Sequence, residues 1–244
     1  MERIAGWQSV LALLERAPQR VKTVFLDEGR NDERAQRLRD ACAPLGIAIQ
    51  TCRASALDRL VPEARHQGVA AEISTAEPLG ERELKRDLAG TAAALYLVLD
   101  GVKDPHNLGA CLRSAAAAGA HGVIVPRDRS ASVTPVVRKV ASGGAEVVPL
   151  YQVANLARAL ETLGEGGVWR IGLDERVEKT VYACPFDGPA ALVLGGEESG
   201  LRELTRRHCD ELARIPTPGP IASLNVSIAA AVSLFEAVRQ RERR

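Results

Sequence analysis

Scarcity is the first feature of this 244-residue sequence, and each shortage closes off a class of function. Aromatic residues make up 3% of the chain, so rows of stacking rings are not the basis of any contact with single-stranded nucleic acid. The formal net charge is only +1, and residues 1–75 carry 11 basic and 10 acidic side chains against 18 and 17 over 93–244. A polyanionic partner must therefore meet a local basic patch rather than a field set by net charge. The five cysteines (Cys42, Cys52, Cys111, Cys184, Cys209) are odd in number, scattered and without a C-x-x-C, the usage of reduced thiols rather than of a disulfide frame or zinc site. His208 and Cys209 are adjacent but have no second ligand pair nearby, so no metal is expected. No apolar run approaches the length that spans a bilayer, and MERIAGWQSV lacks the cationic-then-apolar order of a signal peptide. A soluble cytoplasmic protein is the expectation, without a membrane partner.

The familiar nucleotide loops are missing too. No G-x-G-x-x-G follows a strand pattern, so neither a dinucleotide fold nor a glycine-rich methyltransferase loop is indicated. GGEESGLR has a faint P-loop spacing, but Leu201 and Arg202 stand where Lys and Ser/Thr are needed. There is no G-x-S-x-G elbow, and Cys111 has no evident histidine partner and reads as a small packing residue.

What is present is an ordinary globular balance, 46% apolar and 26% charged, in a chain long enough to bury a sizeable core. Helix and strand periods alternate over the first segment: helix 6–15, strand 21–26, helix 32–43, strand 47–52, helix 55–60 and strand 69–73. These form a small α/β domain over 1–75. The polar stretch 76–91 reads as a linker, with room for a short helix. From residue 92 to 244 the texture changes. Apolar runs of strand length (LYLVLD, HGVIVP, EVVPL, VWRIGL, ALVLGG) alternate with helical stretches at 108–118, 135–141, 153–163 and 203–209, and an apolar helix starts near Ser223. That pattern predicts a parallel sheet covered on both faces.

Three loops in this second domain exceed what folding requires. LDGVKDPHNLGACLRSAAAAG ends a strand in a turn and enters a helix that Asn107 is placed to cap and Gly119 to end, yet neither role needs Arg113. LVLGGEESGL runs a buried strand into Gly195 and Gly196, which permit either a tight turn or close approach of a ligand held near Glu197. IPTPGPIASLNVSIAAAV feeds a stiff proline loop into a helix start, where Ser223 reads as the cap and Asn225 sits oddly in the first turn.

Taken in order, N-L-G-x-x-x-R, L-x-L-G-x-E-x-x-G-L and I-P-x…S-L-N-V-x-x-A resemble the three motifs of the SpoU family of RNA ribose 2′-O-methyltransferases, within the SPOUT class. The segment ending RHQGVAAEIS is similar to that family's N-terminal RNA-binding domain, so the resemblance covers nearly the whole chain. It implies an α/β fold: a small RNA-binding domain followed by a parallel-sheet SPOUT domain with a trefoil knot. It implies S-adenosylmethionine as cofactor, without metal, held against backbone at Gly195, Ile215 and Leu224. It also implies a homodimer, no DNA partner, and a guanosine ribose of large-subunit ribosomal RNA as acceptor. A SPOUT enzyme acting on transfer RNA and a non-catalytic RNA-binding assembly factor are the alternatives. The catalytic set it implies is Asn107, Arg113, Glu197, Ser223 and Asn225. A guanidinium stays protonated, so the chemistry open to Arg113 is to clamp a phosphate and stabilise a forming alkoxide. Asn107 and Glu197 would orient it and the ribose, with Ser223 and Asn225 completing the polar wall. Arg127, Arg129, Arg138 and Lys139 are candidates for the local phosphate patch.

Overall fold

A computed structural model describes residues 2–62, 65–74, 78–88, 93–197, 200–220 and 223–242. The chain divides into two compact units, 1–77 and 78–244. The first contains β1 (Glu2–Ala5), α1 (Trp7–Arg16), β2 (Val21–Asp27), α2 (Glu33–Cys42), β3 (Ala48–Cys52), α3 (Ala54–Leu60) and β4 (Val69–Ile73). Its sheet has the order β1-β4-β2-β3, with β2 and β3 parallel and β4 antiparallel to both its neighbours. Alternation along β2 sorts the two faces. Val24 and Leu26 join Val10, Leu13 and Leu38 beneath α1 and α2, while Phe25 turns to Leu57 of α3. Asp32 caps α2 by accepting from the Ala35 N–H at 3.0 Å. The short β1, absent from the sequence expectation, pairs with β4.

The second unit opens with α4 (Glu81–Leu88), β5 (Leu95–Asp100), α5 (Pro105–Ala117) and β6 (Gly122–Pro126). It continues through α6 (Pro135–Ala141), α7 (Gly144–Val147), β7 (Leu150–Val153), α8 (Leu156–Glu165), β8 (Trp169–Leu173) and β9 (Ala190–Gly195). It closes with α9 (Glu203–Arg207), β10 (Glu211–Ala213) and α10 (Val226–Arg241). All six strands are parallel, in the order β10-β8-β9-β5-β6-β7. Leu95, Leu97 and Leu99 of β5 face α5, α6 and α10, whereas Tyr96 and Val98 face α4 and α8. Both faces are dry, which is why the strands read as continuous apolar runs.

Residues 78–88, expected within a linker, belong to this unit. Leu79 pairs with Tyr151, the Ala154 N–H donates to Glu81 Oε1 at 2.6 Å, and Leu84 is 1% exposed. The Tyr151 hydroxyl donates to Asp87 at 2.9 Å; burial and that carboxylate push the phenol above its ordinary value. The flanks of the expected linker, 76–77 and 89–91, and the expected domain start at 92 lie outside the described residues.

EVVPL is not a strand from its first residue. Ser142 (φ 48°) and Gly143 (φ 89°) turn the chain into the single helical turn α7, and the strand begins at Leu150. That turn buries Glu146, which pairs with Arg138. Two helix starts also differ from expectation. Asp104, not Asn107, caps α5: its Oδ1 accepts from the His106 N–H at 2.8 Å, and Pro105 takes the first position, where no N–H is needed. Asn225, not Ser223, caps α10, accepting from the Ser227 N–H at 2.9 Å.

Candidate active site

In a doubly covered parallel sheet, ligands bind beyond the carboxyl ends of the strands where the order reverses. Here the chain leaves β5 for β6 and β7, crosses to β8, and fills the gap with β9. The reversal lies between β5 and β9, the strands that carry the first two motifs. A cavity of about 360 Å³ opens beside it on the β9 side, lined by loops after β8, β9 and β10 and by the start of α10. Gly195, Glu197, Ile215, Ser223 and Leu224 all line it. Its apolar wall (Leu194, Ile215, Leu224, Val226) suits a flat ring, and its polar side carries Asp174, Arg176 and Arg214.

Asn107 and Asn225 do not line the cavity but join Glu197. Asn107 Nδ2 donates to Glu197 Oε1 at 2.8 Å, and Asn225 Nδ2 donates to Asn107 Oδ1 at 3.0 Å. Arg113 stands apart. It is exposed, and its Nη1 lies 3.5 Å from Ser142 Oγ beside the turn into α7. Gly144 of that turn packs so closely that a Cβ there would lie 2.9 Å from Arg113 Cα.

The glycines of the second loop have a folding reason, and it is close backbone packing. A Cβ on Gly195 would lie 1.9 Å from Gly200 C, and one on Gly196 would lie 2.6 Å from Gly101 O. The loop closes backbone on backbone, with Gly196 N–H donating to Asp100 O at 2.9 Å and Gly200 N–H to Gly196 O at 3.0 Å. Asp100 latches it further: buried at the end of β5, it accepts from Arg202 Nε at 2.6 Å and from Arg202 Nη2. Glu198 lies outside the described residues.

Other charged groups near the cavity escaped the sequence reading, because loop charges ordinarily read as solvated. Asp174 is buried and held by Arg176 (Nη2 at 2.9 Å) and Arg206 (Nη1 at 2.5 Å); the Arg176 hydrogen bond holds its carboxyl below the usual range. Of the expected phosphate patch, Arg127, Arg129 and Lys139 are exposed, but Arg138 is committed to buried Glu146, which needs a counter-charge. Cys111 is fully buried and its thiol is pushed up to about 12, mainly by burial, so it packs rather than reacts.

Comparison with known proteins places these features in context. The model described as the SpoU rRNA Methylase family matches residues 94–235, and that described as RNA 2'-O ribose methyltransferase substrate binding matches residues 3–79. The 23S rRNA (guanosine-2'-O-)-methyltransferase RlmB of Pseudomonas putida is 49% identical over 99% of this chain and 98% of its own length. RlmB of Escherichia coli is 48% identical over 98% of this chain and 99% of its own. The crystal structure of the SpoU methyltransferase AviRb from Streptomyces viridochromogenes in complex with AdoMet superposes with TM-score 0.69 at 26% identity, covering 98% of this chain and 90% of that one.

Proposed function

Because the chain belongs to the SpoU rRNA methylase family, we infer that it transfers a methyl group from S-adenosylmethionine to the ribose 2′-hydroxyl of a guanosine in 23S ribosomal RNA. The carrying observation is that the second and third motifs line one cavity, and that Asn107 of the first is hydrogen-bonded in series between Glu197 and Asn225 at its rim. The cavity fits this cofactor. Its volume lies in the range of small-molecule sites, and its apolar wall of Leu194, Ile215, Leu224 and Val226 suits an adenine. S-adenosylmethionine supplies an electrophilic methyl on a sulfonium. Gly195, Ile215 and Leu224 would hold it, and positioning of two bound reactants supplies much of the rate.

On the RNA side, Arg113 clamps a backbone phosphate with its planar fork. It reaches towards Ser142 rather than the Asn107–Glu197 pair of its own chain, which favours a homodimeric site at a subunit boundary. Leu224, just before α10, and Ile228 and Phe235, seven positions apart on it, are 39%, 53% and 48% exposed and suit that boundary. The N-terminal unit selects the RNA strand, the C-terminal unit closes as the family's trefoil knot, and the enzyme works in the cytoplasm, where ribosomal RNA is assembled. Among the described residues no helix is long and apolar enough to cross a membrane.

The test is methyl transfer to a 23S fragment and to the same fragment with one 2′-deoxy nucleotide at the acceptor. The deoxy RNA should bind with similar affinity, because phosphate contacts dominate, and accept no methyl. Full transfer to it would make this a base methyltransferase.

A further inference from the structure

The polarity of the hydrogen bonds at the cavity rim is set by a donor that has no alternative. The backbone N–H of Ser227 can only donate, and it points to Asn225 Oδ1 at 2.9 Å; the Ser227 hydroxyl reaches the same atom at 2.6 Å. That end of the Asn225 amide is therefore its oxygen, an assignment the network makes rather than the outline of the side chain. Asn225 must then present Nδ2 to Asn107, whose oxygen accepts at 3.0 Å. Asn107 in turn has only Nδ2 left for Glu197 Oε1, at 2.8 Å. Every bond from the start of α10 to Glu197 thus runs in one direction, and Glu197 is obliged to accept. Its second oxygen, on a side chain that lines the cavity, has no such obligation.

We propose that Glu197 takes the proton of the attacking 2′-hydroxyl on Oε2, held in that role by the polarised relay from Ser227 through Asn225 and Asn107. This rests on the ribose-methylation reading. A lone pair of the 2′-oxygen forms the bond to the methyl carbon as the carbon–sulfur bond breaks and its electrons return to sulfur, converting sulfonium to thioether. The hydroxyl proton passes to Glu197, which becomes a neutral carboxylic acid and later returns it to water. Arg113 cannot serve, since a guanidinium has no acceptor. The ionisable groups around Glu197 are accounted for element by element. From the end of β5, Asp100 is held by Arg202, and from the loop after β8, Asp174 is held by Arg176 and Arg206. Glu175 and Arg214 line the same cavity. Helix α5 brings Asp104, His106 and buried Cys111, and α10 has no ionisable side chain before Glu236.

Two substitutions in the full-length protein test this. Glu197→Gln keeps an oxygen for Asn107 but removes the proton acceptor. Turnover should fall about 100-fold or more, while affinities for S-adenosylhomocysteine and RNA stay within about threefold. Asn225→Asp keeps the cap on Ser227 but faces Asn107 with an oxygen, so the Asn107 amide reverses and turns its own oxygen on Glu197. In Asn225→Asp the kcat for methyl transfer should then fall about tenfold or more, while the KM for RNA and the affinity for S-adenosylhomocysteine stay within about threefold. Turnover within tenfold of wild type in Glu197→Gln, or an unchanged kcat in Asn225→Asp, would overturn the proposal. Methyl transfer to the 2′-deoxy acceptor would instead overturn the ribose reading.

Discussion

Asn107 and Glu197 stand 90 residues apart in the chain, yet 2.8 Å separates the amide nitrogen of one from a carboxylate oxygen of the other. They meet because β5 and β9 are neighbours in register, with Asp100 opposite Gly195, so the loops that leave these strands share one edge of the sheet. The site is in this sense a property of strand order.

Removing the amide should disconnect that edge without emptying it. Asn107→Ala is expected to cost about 100-fold in single-turnover methyl transfer, the scale of a small misplacement of a reacting group. Calorimetry should find cofactor affinity unchanged, because Asn107 does not line the cavity.

Arg113 offers a contrasting case. Arg113→Ala should leave cofactor binding intact and lower turnover by about 100-fold or more, the scale of losing one aligned transition-state donor. Arg113→Lys should recover little of it, since a point charge lacks the planar fork. Near-normal turnover in the alanine variant would mark Arg113 as a solvated surface residue.

At Gly195 the expected effect is structural first. Gly195→Ala puts a methyl where Gly200 already stands, so the loop must open. A loss of about 2 kcal/mol in denaturant unfolding is expected, together with weakened cofactor binding. Weakened binding at full stability would mean that the glycine serves the ligand alone.

Helix α4 can be tested as part of the second unit. Leu84→Ala should destabilise that unit by about 3 kcal/mol, the usual cost of hollowing a buried leucine site. Urea unfolding would read it; no effect would return the segment to linker status.

Acid should loosen the loop after β8. The Asp174 carboxyl is lowered in the folded protein by Arg176, so its stabilisation is present above the unfolded value near about 4 and lost as pH falls through the folded one. Asp174→Asn should be less stable than wild type at neutral pH, and the difference should shrink below about pH 4. A stability gap that stays constant from pH 7 to pH 2 would exclude this linkage.

Much of the fold is visible in the sequence because both faces of the second sheet are dry. Strands β5, β6 and β9 are almost wholly apolar runs, and no helix-forming pattern competes with them. What escapes is short or bent by special backbone. β10 has three residues, too few for a period, and EVVPL looks like a strand until Ser142 and Gly143 curl the chain into α7. The site is legible as three loops but not as geometry. Asn107 and Arg113, six positions apart on one helix, point about 120° apart, which the 3.6-residue repeat already implies. The caps were misplaced because two candidates stood close together each time, and only the hydrogen bonds separate Asp104 from Asn107 and Asn225 from Ser223.

The seat of α10 has a consequence for synthesis. This helix follows every other element in chain order, yet its cap, Asn225, bonds Asn107 across 118 positions. Near its far end Arg241 fastens it by donating to the carbonyls of Ala93 at 3.0 Å and Gly188 at 2.9 Å. Contacts so distant along the chain form late, since a long loop must close before they contribute. On the ribosome, β5 and α5 emerge well before the helix that completes their site, and chains leave the tunnel at roughly 5–20 residues per second. For several seconds the nascent second unit is a sheet lacking one cavity wall, without the relay to Glu197. Among the described elements, the wall that α10 lends the cavity is the part that closes last.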